Sequence, residues 1–282
     1  MKTLMKTLLI SLFLSMIVSV NAHATIGIVN GLTHEKIATP GISYEGIIII
    51  KNFGQQEKEV KVSLMDYSFN FEGKKFYKKP GTNQRSNTKW IAVYYPKQLS
   101  IKPGEKAQVK YIIKVPNEKK LAGTYWSMFM VEVIPRMSPE SLAKGKPKYN
   151  FGIKQIIRYG IQIITNISET GTRELKFLNT QLIRHKDKRT FHVDVENTGE
   201  RWLRAILYVE LYDEKGQYKG KYEAGQLRIY PGTSVRYKLD LSKVSEGKYK
   251  AMVIVDNKDE YVFGAEYTLD INSPATSGNS LM

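Results

Sequence analysis

Few residues in this chain have the types and spacing that chemistry needs. Beyond the first 24 residues the histidines are His34, His185 and His192, and none stands four residues from another or beside a carboxylate cluster, so no zinc site is expected. There is no cysteine, which excludes disulfides, thiol catalysis, thiolate metal sites and a lipid-bearing cysteine. A nucleophile elbow, a phosphate-cradling glycine loop and an HExxH pair are all missing from the sequence. Asp256, Asp259 and Glu260 share one turn and could hold calcium, but Lys258 interrupts them, and ordinary turn chemistry is the plainer reading. Glu169, Glu174, Asp187 and Glu196 are scattered without pairing. The expectation is a protein that binds rather than catalyses, with no cofactor and no metal.

Positions 1–24 open with Lys2 and Lys6, run apolar from Leu8 to Val20 and end Ala22-His23-Ala24, the three-part pattern of a cleaved export signal. The apolar run is shorter than the roughly 20 residues that span a bilayer, so the mature chain is expected in the periplasm or otherwise exported, soluble after cleavage. The leader carries two of the 43 basic residues and none of the 27 acids, which leaves 41 against 27, a net charge of +14. That charge favours an acidic partner through attraction that salt screens, or simply solvates the surface with lysine. An exported chain rarely meets nucleic acid, so an anionic envelope polymer, lipid headgroups or an acidic protein fits better.

The elements that must position any site read as strands throughout. Tyr149 to Ile167 alternates apolar odd positions with even positions that include Lys154, Ile156, Arg158 and Ile164, the period of a strand with one wet face. It reads as a spine that closes one domain and leads into the next. Ile47 to Ile50 is a β-branched run expected to be buried on both faces, and Gly123 to Ile134 is apolar on both faces, a central strand. Val60, Val62 and Leu64 change parity to Tyr67, Phe69 and Phe71, which predicts a bulge near Met65 and Asp66. Gly31 to Gly41 and Lys78 to Lys89 read as loops, the second one mobile at the surface.

The halves echo each other. Pro103-Gly104, an alternating strand and Gly123-Thr-Tyr125 are matched by Pro231-Gly232, an alternating strand and Gly247-Lys-Tyr249. The two tyrosines are placed to bond back to the preceding corner, as in immunoglobulin-like folds. Strands recurring every 8 to 12 residues or so, with Gly, Pro and Asn between them, predict an all-β chain of two tandem immunoglobulin-like β-sandwich domains. The expected units are a signal peptide at 1–24, domains at 25–166 and 167–272, and a disordered tail at 273–282.

From Gly41 to Thr165, the isoleucine strand before Asn52, Pro103-Gly104, Val115-Pro116 and Gly123-Thr-Tyr-Trp-Ser-Met-Phe-Met-Val-Glu-Val-Ile-Pro135 resemble the amino-terminal domain of the periplasmic pilus chaperone superfamily. The same stretch is similar to the first domain of Gram-positive surface proteins that bind peptidoglycan. The first resemblance implies a chaperone for surface-fibre assembly that pairs an edge strand with a pilus subunit. It also implies two basic residues that anchor the subunit's terminal carboxylate in the cleft between domains. Arg158, then Lys154, match the base expected from the spine, with Ile156 and Ile164 as apolar contacts. The base expected from the first strand has no counterpart in Thr25 to Asn30. The second resemblance implies an adhesive or scaffold protein that binds peptidoglycan or another anionic polymer.

Overall fold

The computed structural model describes residues 25–93, 98–134 and 157–271. The strands of the first half are β1 (Ile26–Ile28), β2 (Thr33–Ala38), β3 (Ser43–Asn52), β4 (Lys58–Phe69), β5 (Lys75–Lys78), β6 (Ile91–Val93), β7 (Gln98–Ile101), β8 (Lys106–Lys114), β9 (Gly123–Ile134) and β10 (Arg158–Ile167). One sheet runs β1-β3-β8-β6. The other runs β2-β10-β9-β4-β5, with β7 also on β4. Ile48, Ile50, Val60, Val109, Ile113, Phe129, Ile161 and Ile163 pack between the two sheets.

The second half contains β11 (Leu175–His185), β12 (Lys188–Asn197), β13 (Leu203–Asp213), β14 (Tyr218–Ile229), β15 (Ser234–Asp240), β16 (Lys248–Asp256) and β17 (Val262–Asp270). A sheet β11-β12-β15 faces a sheet β14-β13-β16-β17 across a second core. The chain is thus two tandem immunoglobulin-like sandwiches. Tyr249 makes the expected corner, its hydroxyl donating to the Ser245 carbonyl at 2.9 Å, and Tyr125 bonds back to the Ala122 backbone just before β9 while its ring packs on Trp90 at 4.6 Å.

Each sandwich is pinned by a fully buried asparagine that periodicity could not reveal. Asn52 Nδ2 donates to the carbonyls of Gln56 (2.7 Å) and Ile101 (2.9 Å) and its Oδ1 accepts from the Gly54 amide (2.9 Å). Asn197 repeats this with Arg201 (2.8 Å), Ile229 (2.9 Å) and the Gly199 amide (2.9 Å). The main chain of each asparagine accepts from the glycine of the Pro-Gly turn, Gly104 at 2.9 Å and Gly232 at 2.8 Å. Both glycines hold φ near +70°, which a side chain disfavours. The echo is therefore wider than Pro-Gly: an Asn-x-Gly turn is tied to an Ile-x-Pro-Gly turn in each half.

Four expectations are corrected. Thr33–Ala38 is a strand, paired in parallel with β10, although its Thr-His-Glu-Lys start carries no apolar alternation. No register shift occurs between β4 and β9. Asp66 stays on the inward face of Val60 and Val62, while Tyr67 and Phe69 lie on the opposite face and pack against the second domain. The parity change thus reflects a second buried face and not a bulge. The 78–89 segment is pinned: buried Asp66 accepts from Ser86 Oγ (2.5 Å), Asn83 N (2.6 Å) and Thr82 Oγ1 (3.2 Å), and buried Asn87 reaches the Ile163 carbonyl at 3.2 Å. Finally, Ile48 and Ile50 are fully buried but Ile47 is 38% exposed, because the outer face of its sheet is uncovered.

Asn52→Ala or Asn197→Ala should each destabilise by about 2–4 kcal/mol, since two buried carbonyls lose their donor. Urea unfolding of single variants measures this; a loss below about 1 kcal/mol would show that water replaces the amide.

Candidate partner-binding edge and interdomain cleft

β10 is antiparallel to β9 along its whole length, from Arg158↔Glu132 to Ile167↔Gly123. Its other side meets β2 only from Gln162↔Thr33 onward. The Gln162 amide donates to the Leu32 carbonyl at 2.9 Å, so the even residues of β10 turn their main-chain groups toward β2. Residues of one parity share one hydrogen-bonding side. The N–H and C=O groups of Arg158 and Gly160 therefore point to a side where no described strand pairs with them. Ile157 and Leu32, both exposed, flank this open edge.

The residues expected to form the site fare differently. Lys154 and Ile156 lie outside the described residues, as do 149–156 of the expected spine and the expected signal and tail. Arg158 is exposed, lies about 20 Å along the strand from Ile164 at roughly 3.3 Å per residue, and pairs with Glu132 at 3.0 Å. It stands at the end of β10 remote from the second domain. Ile164 is fully buried, packed with Trp126, Trp202 and Tyr230. The even face expected to be wet is covered there by the second domain, so Ile164 offers nothing to a partner.

The cluster around Ile164 joins the two domains. Tyr230 is stacked between Trp126 (4.7 Å, 10°) and Trp202 (5.8 Å, 15°), and its hydroxyl bonds to Gln162 Oε1. Trp126 Nε1 donates to the Tyr67 carbonyl at 2.7 Å, so the indole is buried without an orphaned donor. Beside it runs a polar chain: the Trp202 amide donates to Thr124 Oγ1 (3.0 Å), Thr124 to Asn166 Oδ1 (2.6 Å), and Asn166 Nδ2 to Glu35 (2.7 Å). Arg85 bridges the domains to Glu200 at 3.0 Å. Gly123 sits so close to the Glu200 carbonyl that a Cβ would come within 2.2 Å.

Next to Tyr230 a cavity of about 480 Å³ opens between the domains. Phe69 and Gln162 line it from the first domain, and Arg228, Arg236 and Lys238 from the second. Arg236 is committed to buried Asp194 through two bonds of 2.6 and 2.7 Å, which holds its guanidinium firmly charged. Arg228 donates to Thr33 Oγ1 at 2.7 Å, and its guanidinium has further N–H groups, none of them in another hydrogen bond among the described residues. Three bases at this cleft thus come from the second domain, Arg236 and Lys238 on β15 and Arg228 in the Arg228-Ile-Tyr-Pro-Gly phrase. Its place before the echoed Pro-Gly turn is the signal that could have found it.

His34 on β2 sits at the same edge. Its Nδ1 lies 3.0 Å from the Tyr111 hydroxyl, and burial lowers its pKa below 6.5 against the opposing pull of the Asn30 and Gly31 backbone. Gly46 makes room for Tyr111, since a Cβ there would come within 2.1 Å of the ring.

No protein-family model and no curated protein matches the chain. Among solved structures it is similar to a chain of the chaperone–tip adhesin complex of CFA/I fimbriae biogenesis, at 13% identity over 87% of this chain and 98% of that one, with a TM-score of 0.46. It is also similar to the class 5 fimbriae chaperone CfaA (11% identity, 86% and 98% covered, TM-score 0.45). A chain of the CsuC–CsuE pre-assembly complex from Acinetobacter baumannii gives 14% identity, 86% and 98% covered, and a TM-score of 0.44. Likenesses this loose assign no activity.

Tyr230→Ala should cost about 3–5 kcal/mol and split thermal unfolding into two transitions as the domains uncouple; one transition at an unchanged midpoint would contradict the stack's role. Because the folded pKa of His34 is lowered, the unfolded chain binds more protons in acid, so stability falls as pH drops through 6.5 and below. His192, also lowered by burial, adds the same sign. Urea midpoints at neutral and acid pH should therefore converge in His34→Gln relative to the parent; an identical pH slope would remove His34 from the account.

Proposed function

We propose that the protein is an exported, non-enzymatic binding protein that captures another envelope protein by strand pairing along the open edge of β10, the work of an assembly chaperone for surface fibres. The observation that carries this is the half-paired strand: two successive outward-facing residues, Arg158 and Gly160, present main-chain donors and acceptors that no strand pairs with among the described residues. Natural sheets usually cover or blunt such edges, and an added strand takes its affinity from main-chain bonds. Exposed Ile157 and Leu32 give that strand apolar side chains to rest on.

A partner lying along the Arg158–Gly160 edge runs toward Gln162, where β2 begins and the interdomain cleft opens, and there Arg228 and Lys238 can receive a carboxylate. In this arrangement Arg158 contributes its main chain and not its charge. Arg158→Pro removes an edge donor that β9 does not use, at the first residue of a strand, where proline is tolerated. Pull-down from the native envelope should lose the partner with Arg158→Pro and keep it with Arg158→Ala, even in about 0.5 M salt, which screens charge but not strand pairing. Equal capture by both variants, or capture abolished by salt alone, would count against edge pairing.

A further inference from the structure

The outer face of the β1-β3-β8-β6 sheet carries a second surface, on the side of the first domain away from the second one, which packs on the other sheet through Trp126 and Ile164. Outward positions on β8 are Lys106, Gln108, Lys110, Ile112 and Lys114, and across the ladder Lys106 faces Lys51 directly. Like charges directly opposite one another destabilise a strand pair, and neither lysine has an acid as its cross-strand partner. Lys106, Lys110 and Lys114 make no ion pair among the described residues, and Lys51 leans over the Phe53 ring at 4.8 Å.

Between these lysines the face is apolar. Phe53 is 55% exposed and lies over Gly27, where a Cβ would come within 3.0 Å of its ring. Val29 and Ile47 are exposed beside it. Asn30 fixes their spacing, its Nδ2 donating to the Ile47 carbonyl (2.6 Å) and its Oδ1 accepting from the Ile49 amide (2.9 Å). Glu45 is the one acid among the outward positions of β3 and β8.

We infer that this face docks on an anionic lipid bilayer. Lysines spaced over about 27 Å of a strand reach headgroup phosphates, while Phe53, Val29 and Ile47 enter the interfacial layer. A hydrated polyanion would satisfy the lysines but leaves the three protruding apolar side chains unused, so charge and shape together favour a membrane. The surface is independent of the β10 edge, and a chain held here keeps that edge and the cleft free.

The test is co-sedimentation of the mature chain with vesicles of phosphatidylcholine alone or mixed with phosphatidylglycerol. Binding should require phosphatidylglycerol, fall on the order of a hundredfold in Lys106→Gln/Lys110→Gln/Lys114→Gln at roughly fivefold per lysine, and fall about tenfold in Phe53→Ser. All these side chains are exposed or nearly so, and circular dichroism confirms that the variants fold. No binding to either vesicle, or undiminished binding by the triple variant, would overturn the inference. Phe53→Ser bound as tightly as the parent, with added polyphosphate displacing both, would assign the face to a soluble polyanion and equally overturn it.

Discussion

Every main-chain donor and acceptor buried in a sheet must find a partner, and among the described residues β10 meets that constraint along only part of its length. From Gln162 to Ile167 it is held by β9 on one side and β2 on the other; from Arg158 to Ile161 it is held, among the described residues, by β9 alone. A one-residue slip would exchange its faces, and here neither face can be exchanged. Ile161 and Ile163 fill the first core, while Ile164 is packed against the second domain and Asn166 is bonded to Thr124 and Glu35. The register of the open segment is therefore set by the closed one. The open segment is a fixed edge.

The interdomain stack gives that edge its direction. Tyr230, held between Trp126 and Trp202 and bonded to Gln162, places the second domain against the point where β2 takes over the pairing of β10. Large aromatic faces stacked in this way contribute beyond the area they bury. The Thr124–Asn166–Glu35 chain runs alongside and satisfies the polar groups that the interface encloses. The edge and the cleft with Arg228 consequently lie along one line, which a short extended segment can follow.

The alternation of apolar and polar residues made most strands legible, including central β9 and the paired halves of the second sandwich. It failed where burial was not decided by side chains. Thr33–Ala38 joins its sheet through main-chain bonds, so its sequence looks like a loop. Lys78 to Lys89 looks solvated, yet Asn87 and Ser86 are drawn inward by polar atoms far along the chain. Tyr67 and Phe69 simulated a bulge because the domain that covers them begins a hundred residues later. Arg158 and Lys154 followed from a resemblance, and strand direction puts Arg158 at the end of β10 away from the cleft; Arg228, the base that reaches it, stands on β14, whose sequence carries no sustained apolar alternation. Ile47 to Ile50 looked doubly buried because isoleucine is apolar, whereas the fold leaves one of its faces to the outside.

Amide hydrogen exchange residue by residue tests the half-paired strand most directly. In the free protein the amides of Arg158 and Gly160 should exchange quickly while those of Ile161 and Ile163, paired with β9, are protected; adding the captured partner should slow the first pair and leave the second unchanged. Strong protection of Arg158 and Gly160 before any partner is present would mean that the edge is already closed.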